Sequence, residues 1–381
     1  MKSKLVKAFQ RLIEVFSFME KYRDVKVNTV EDIYKIPFTR RLELQDWVLE
    51  NAPERPVIFY EATGGMGGKN FFIGINEKSH DFMVRRAVKA IGLMGVKKGS
   101  NCLNLLFSDL VERGIIEYGG VLMSVGDVYN YKTYKLAQDA IKSLNIKYVF
   151  ACPNLIYDVL LPLGKNHSIE KCMVSGELLM PSFRISFLNS TGIPLYNWYG
   201  SSGGFIAAQD NPKDEYMKII DDGLYLEVID KHGKSKETGE GFLVYTDLFN
   251  YSTPIIRYLL EDRVRIIRRG KNRYVKIYQR EGKHIKLDGE LVYKEFIIEE
   301  MRKILHHNHF IAIIKKTEDY KDKIIISTIK DSLNDDEKIE KIKDFFSRCI
   351  GLIPAIVFLD KLEISKLIRE KGYIVDLRRV K

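Results

Sequence analysis

The 381-residue chain has only four cysteines, and Cys102, Cys152, Cys172 and Cys349 show no metal-ligand spacing. Their scatter excludes a zinc framework and a disulfide scaffold, and points to reduced thiols in a cytoplasmic protein. No run is apolar enough to cross a membrane and no signal-peptide core stands at the N-terminus, so no membrane partner is expected. Lys and Arg outnumber Asp and Glu by 61 to 51, a net charge of +10. The basic residues are nevertheless interleaved with acidic ones, and neither a basic arm nor a nucleic-acid motif is found. The excess therefore reads as solubility, with a bias toward small anions such as nucleotides and not toward nucleic acid. Internal repeats and low-complexity linkers are lacking as well.

What is present is organised around Tyr196-Asn197-Trp198-Tyr199-Gly200-Ser201-Ser202-Gly203-Gly204. Aromatic strand formers run into a turn rich in glycine and hydroxyls. Glycine there permits positive φ and close backbone approach, and Ser201 and Ser202 can hydrogen-bond a polar ligand. Aromatic faces beside small polar groups suit a nucleobase over a phosphate. A second such loop follows the apolar Val57–Tyr60 stretch: Glu61-Ala62-Thr63-Gly64-Gly65-Met66-Gly67-Gly68-Lys69-Asn70. Backbone N–H groups freed by glycine, with Lys69 as an added charge, are the chemistry of phosphate cradling. The Walker spacing is not met, and both loops also admit the plainer reading of glycine-dependent turns.

Between about 78 and 200, helical and strand patterns alternate, which predicts a mostly parallel sheet flanked by helices. Ligands of such sheets sit at the carboxyl ends of strands, where Ser175-Gly176-Glu177 and the Tyr199 loop both fall. From about 222 the rhythm changes to short strands, including Ile255–Tyr258 and Val264–Arg268, joined by turns. After Arg280 it changes again, to a small α+β pattern. The expected fold class is α/β: a large domain over 1–279 with a β-rich subdomain over about 222–279, and a small mobile C-terminal α+β domain over 280–381. The N-terminal Leu5, Phe9, Leu12, Ile13 and Phe16 mark an amphipathic helix, and Thr29 caps a short helix that Pro37 stops. His306, His307 and His309 read as a solvated helix end and not as metal ligands.

Taken in order, these loops resemble the adenylate-forming superfamily of acyl- and aryl-CoA ligases, and within it phenylacetate–CoA ligases and their capsule-biosynthesis relatives. The likeness runs from Glu31-Asp32-Ile33-Tyr34-Lys35-Ile36-Pro37-Phe38-Thr39 to Val375-Asp376-Leu377-Arg378. The family's phosphate loop, often Thr-Gly-Gly-Ser-Thr-Gly-x-Pro, is matched at Thr63, Gly64, Gly65 and Gly68; Met66, Gly67 and Asn70 depart from it. The adenine-packing Gly-x-Glu segment is similar to Ser175, Gly176 and Glu177. The Asp/Asn-x-Tyr-Gly-x-Ser/Thr-Glu loop is matched by Asn197, Tyr199, Gly200, Ser201 and Ser202, with Trp198 between them. The likeness implies that Asn197 meets the adenine amino group and that Tyr199 lies against the base. The closing glutamate, which holds magnesium in the family, is Gly203 here.

The same likeness makes Asp262 the acceptor for the ribose hydroxyls, with Arg257 on the same motif; Arg257 also admits the reading of a structural ion-pair partner. Arg280 opens the family's hinge motif, in which Gly282 and Lys283 replace two aspartates. Alignment on Val375-Asp376 places Glu370 at the catalytic-lysine position and leaves Lys366 and Lys371 as candidates. The activity implied is ATP-dependent activation of a carboxylic acid as acyl-AMP, with ATP and Mg2+ as cofactors, followed by transfer to CoA or another nucleophile. Phe107, Phe150, Pro153 and Tyr157 point to an aromatic or medium-length apolar acid. Alternatives on this scaffold are nucleotidyl transfer to a cofactor hydroxyl, amide formation or carrier loading, and a degenerate non-catalytic nucleotide binder. A homodimer is the assembly that the resemblance suggests.

Overall fold

A computed structural model describes every residue except 1, 52–56, 64–70, 107, 126–130, 177, 178, 180, 202, 203, 231, 281–283, 288, 289, 308, 320, 331–334, 372 and 379–381. The alternation read between 78 and 200 builds five parallel strands, in the spatial order Val121–Ser124, Asn101–Asn104, Tyr148–Ala151, Lys171–Val174 and Leu195–Ser201. Helices Asp109–Tyr118, Tyr131–Ser143, Pro153–Leu160 and Pro181–Thr191 make the crossovers that parallel pairing requires. All four residues of the central Tyr148–Ala151 strand are buried, as expected where helices cover both faces.

The sheet does not stop at Leu195–Ser201. That strand pairs antiparallel with Gly204–Ala208, and the order continues through Met217–Ile219, Asn272–Arg280, Tyr258–Arg269, Gly239–Asp247, Leu224–Ile229 and Ser235–Lys236. The β-rich stretch is thus the antiparallel half of one twelve-stranded sheet. The separate strands expected at 255–258 and 264–268 are corrected: Tyr258–Arg269 is a single strand of 12 residues. The charged Glu261-Asp262-Arg263 run has the look of a turn, but it is a bulge within the strand: Arg263 pairs with Phe242 and Leu259 with Val244, and the register shift falls on Leu260, Glu261 and Asp262 between them.

Gly241 shows how tightly this half is built. A Cβ added there would lie 2.0 Å from the carbonyl oxygen of Ile229 on the neighbouring strand. Backbone cannot give way as a flexible side chain can. Gly241→Ala is therefore expected to cost about 1–3 kcal/mol, the usual penalty of overpacking, read as a lower midpoint in a urea titration. A midpoint equal to that of the parent would show that the strand pair spreads without strain.

The N-terminal helix Lys2–Val15 buries Phe9, Leu12 and Ile13, with Phe16 just beyond it, against a cluster that includes Tyr225 and Ile256. Thr29 and Asp32 form a reciprocal capping box on the short Val30–Ile33 helix. Asp32 is held well below the usual carboxylate range, first by Lys35 and then by the backbone N–H groups of Asn28 and Thr29. A short hairpin pairs Phe59–Thr63 with Phe71–Ile75. It leads into Glu77–Met94, a helix that ends on Gly95 in the left-handed conformation.

The chain divides into two compact units, one holding Met1–Thr63 with Phe71–Gln279, the other holding Arg280–Lys381. The second has its own core, including Phe310, Ile326, Phe345 and Phe346. Its four-stranded sheet runs Ala355–Phe358, Asp322–Thr328, Phe310–Lys316, Ile374–Asp376, beside helices Lys294–Leu305 and Asp335–Ile350. None of the four cysteines forms a disulfide among the described residues; burial pushes the Cys102 thiol up to about 12, far from a reactive thiolate.

Candidate active site

The strand Leu195–Ser201 is where the sheet changes from parallel to antiparallel pairing. Side chains alternate across a strand, and the burial of this one follows that rule: Trp198 is 2% exposed, while Asn197 and Tyr199 are half-buried. Trp198 packs edge-on against Phe150 and Phe205, with ring centroids 5.8 and 4.9 Å away. The expectation that Trp198 contacts the nucleotide is corrected by this alternation: it faces the core. Phe150 is fully buried beneath it and does not line an acid pocket.

The Tyr199 hydroxyl donates to Asp262 Oδ2 at 2.7 Å. In the sheet order three strands separate the strands that carry these residues. Four flat spacings of about 4.8 Å would set them about 19 Å apart. The antiparallel half must therefore curl, and its curl brings Asp262 to the carboxyl end of the switch strand. Beyond Tyr199, a Cβ on Gly200 would stand 3.0 Å from the carbonyl oxygen of Gly204. Gly204 itself has φ +92 and packs on Met83 and Arg86 of the Glu77–Met94 helix. The glycine pair thus closes a tight hairpin, Ser201 opposite Gly204, and Ser202 and Gly203 lie outside the described residues.

The remaining candidates are placed as follows. Thr63 ends its strand opposite Phe71, its side chain undescribed, and Gly64, Gly65, Gly68 and Lys69 lie outside the described residues. Ser175 is buried, and its N–H donates to Ala151 O at 3.1 Å; Gly176 has φ +89, open only to glycine without strain, and Glu177 is outside the described residues. Arg280 ends the strand Asn272–Arg280. Lys366 is exposed on the helix Lys361–Lys371, which Lys371 closes; the side chains of Arg280 and Lys371 are undescribed. Just past that helix, Arg378 grips both carboxylate oxygens of Asp376, at 2.9 and 2.7 Å, and reaches Asp322 at 2.8 Å. The clamp fixes Ile374–Asp376 beside Phe310–Lys316, and so the end of the helix that carries the two lysines.

Of the two readings of Arg257, the ligand contact is corrected and the structural ion-pair partner holds. It is 2% exposed and has φ +47. Its Nε donates to Glu227 Oε1 at 2.6 Å, and its guanidinium also donates to Tyr34 O, Ile36 O and Ser235 Oγ and lies over the Phe38 ring. It knots the Tyr34–Phe38 lead-in to the antiparallel half, a structural role that leaves no face for a ligand. Burial pushes the Glu227 carboxyl up, and the guanidinium opposes that shift. Sequence reasoning missed Glu227, although one charge inside the apolar Leu224–Ile229 strand was the available signal.

Among the described residues no three His, Cys, Asp or Glu side chains converge as metal ligands. A groove of about 540 Å³ is lined by Phe18, Lys21, Glu43 and Trp47, among others, and none of the motif residues is among its lining residues.

This arrangement has the fold of the adenylate-forming ligases, and the resemblance read from the sequence holds at the level of that superfamily. A 2-hydroxyisobutyryl-CoA ligase solved in complex with 2-HIB-AMP and CoA superposes with a TM-score of 0.80 at 15% identity, over 98% of this chain and 89% of that one. An amide bond synthetase from Marinactinospora thermotolerans superposes with a TM-score of 0.60 at 15% identity, over 81% of this chain and 68% of that one. The indoleacetate–lysine synthetase of Pseudomonas savastanoi is 23% identical, over 74% of each chain. No protein-family model matches the chain.

Proposed function

We propose that the protein is an ATP-dependent ligase that activates a carboxylic acid as acyl-AMP and then passes the acyl group to a nucleophile. The observation that carries this reading is the meeting of Tyr199 and Asp262 at the end of the switch strand, in the order the ligase motifs require. Asp262 accepts hydrogen bonds from the ribose hydroxyls, Tyr199 lies along the base and Asn197 meets its amino group. The glycine loop 64–68 with Lys69 receives the phosphates. The acid's carboxylate oxygen attacks the α-phosphorus, the bond to the bridging oxygen breaks and pyrophosphate leaves. In the second half-reaction a nucleophile attacks the acyl carbon and AMP departs with its electron pair. Orientation and charge stabilisation supply the rate, as in other phosphoryl chemistry. Lys366 or Lys371 adds a cation for the first step, and the segment near Arg280 is the hinge between the two.

The acceptor is a thiol or an amine. Phenylacetate–CoA ligase-like thioester formation is the first reading. Amide formation is the second, favoured by the relative whose name pairs indoleacetate with lysine. Acid-dependent exchange of labelled pyrophosphate into ATP tests the first half-reaction. A panel of aryl-acetic, benzoic and medium-chain acids is expected to give exchange with at least one of them. Addition of CoA or of lysine to the responsive acid then assigns the acceptor by which one releases AMP. Binding of ATP without exchange for any acid would favour the degenerate, non-catalytic alternative.

A further inference from the structure

We infer that Gln209, held by Arg184, is a positioning residue that sets Asn197 for base recognition; the inference rests on the nucleotide reading above. Gln209 stands just beyond the Gly204–Ala208 strand, opposite Asn197. Its backbone N–H donates to Asn197 O at 2.9 Å, and its side-chain Oε1 accepts from the Asn197 N–H at 2.7 Å. One residue therefore holds both main-chain polar groups of Asn197, with an amide side chain doing on one side what a strand backbone would do. That amide has one possible orientation. Two donors converge on Oε1, since Arg184 Nη2 also reaches it at 3.0 Å, while Nε2 donates to Asp214 O.

The partners are themselves fixed. Arg184 Nη1 donates to Leu195 O and to Pro212 O, both at 2.5 Å, so it ties the Pro181–Thr191 helix to the start of the switch strand. The Asp214 carboxylate pairs with Arg269, whose guanidinium holds it below the usual carboxylate range. Arg269 lies over the rings of Tyr216 and Tyr274 and ends the strand that carries Asp262. A relay of Arg269, Asp214 and Gln209 thus links the Asp262 strand to Asn197. Gln209 is 1% exposed and touches no solvent or ligand space. Its effect on base recognition is therefore indirect, through Asn197.

The test is the dissociation constant of ATP against that of inosine triphosphate, which lacks the 6-amino group, measured by calorimetry on the full chain. Wild type is expected to prefer ATP. Gln209→Met, which keeps the volume and removes both polar ends, is expected to reduce that preference about tenfold, the size of one lost net hydrogen bond. Asn197→Ala removes the preference, and Gln209→Met then has no further effect on it. A merely structural role would lower the melting temperature and leave the ratio of the two constants unchanged; that result in a folded Gln209→Met protein overturns the inference. If the ratio ignores Asn197→Ala, the base-contact reading of Asn197 falls, and the role of Gln209 with it. If it responds to Asn197→Ala but not to Gln209→Met, the Gln209 inference alone falls. Should Gln209→Met not fold, Arg184→Lys is read on the same ratio: a reduced ratio supports the relay and an unchanged one overturns it.

Discussion

Asp262→Ala is expected to weaken ATP binding by about 10- to 150-fold. The carboxylate accepts from the Tyr199 hydroxyl, and in the function proposed above it also accepts from the ribose hydroxyls. Hydrogen bonds to a charged acceptor contribute about 1.5–3 kcal/mol each, and tenfold in affinity is about 1.4 kcal/mol. Calorimetry on wild type and variant, with and without magnesium, measures this with no acid present. The discriminating ligand is 2′-deoxy-ATP. Wild type should bind it more weakly than ATP, whereas the variant, having lost the acceptor, should treat the two alike. An Asp262→Ala protein that binds ATP as tightly as its parent would remove Asp262 from the site. Tyr199→Phe offers a second check, because it removes one donor to the carboxylate and keeps the carboxylate itself, and the preference for ATP over the deoxy ligand should survive.

Arg257→Ala is expected to destabilise the large unit by about 3–5 kcal/mol, the cost of stranding one member of a buried ion pair. Glu227 is fully buried and its carboxylate has Arg257 as its cationic partner. The same truncation removes the donors to Tyr34 O, Ile36 O and Ser235 Oγ, so the N-terminal lead-in loses its anchor. Domains are stable by about 5–15 kcal/mol, so the loss is a large share of the total. Arg257→Lys should restore little, because a point charge on a flexible stem cannot replace a five-donor fork. Pairing Arg257→Met with Glu227→Leu should recover much of the loss, since it removes both charges together. Denaturant midpoints of the four proteins decide the matter: an Arg257→Ala protein within about 0.5 kcal/mol of wild type, the range of an ordinary surface change, would mean that Glu227 is not stranded.

These two residues also mark what could be read in advance. Arg257 and Asp262 stand five positions apart in one motif; the resemblance makes Asp262 a ribose contact and leaves Arg257 between a ligand contact and a structural ion-pair partner. Their fates differ because Arg257 precedes the strand in a left-handed conformation that turns it into the core, whereas Asp262 lies within the strand. Trp198 was misplaced for a related reason: neighbours in a strand face opposite sides, so Asn197 and Tyr199 could not take Trp198 with them. Gln209 and Arg184 carry no motif and act through main-chain atoms, so no residue pattern announces them.

The sequence by itself determined the local features that depend on short-range rules. These are the parallel half from its strand–helix alternation, the capping box at Thr29, the glycine turn after Tyr199 and the amphipathic N-terminal helix. Each follows from periodicity, capping or backbone freedom within a few residues. The tertiary structure alone decided which side chains meet. Joining the two halves into one sheet at Leu195–Ser201, and curling the antiparallel half, brings Asp262 to Tyr199 across 63 positions and Arg257 to Glu227 across 30. Contacts so distant in the chain are fixed by strand order, register and curvature, which depend on the packing of the whole sheet and not on any segment of it.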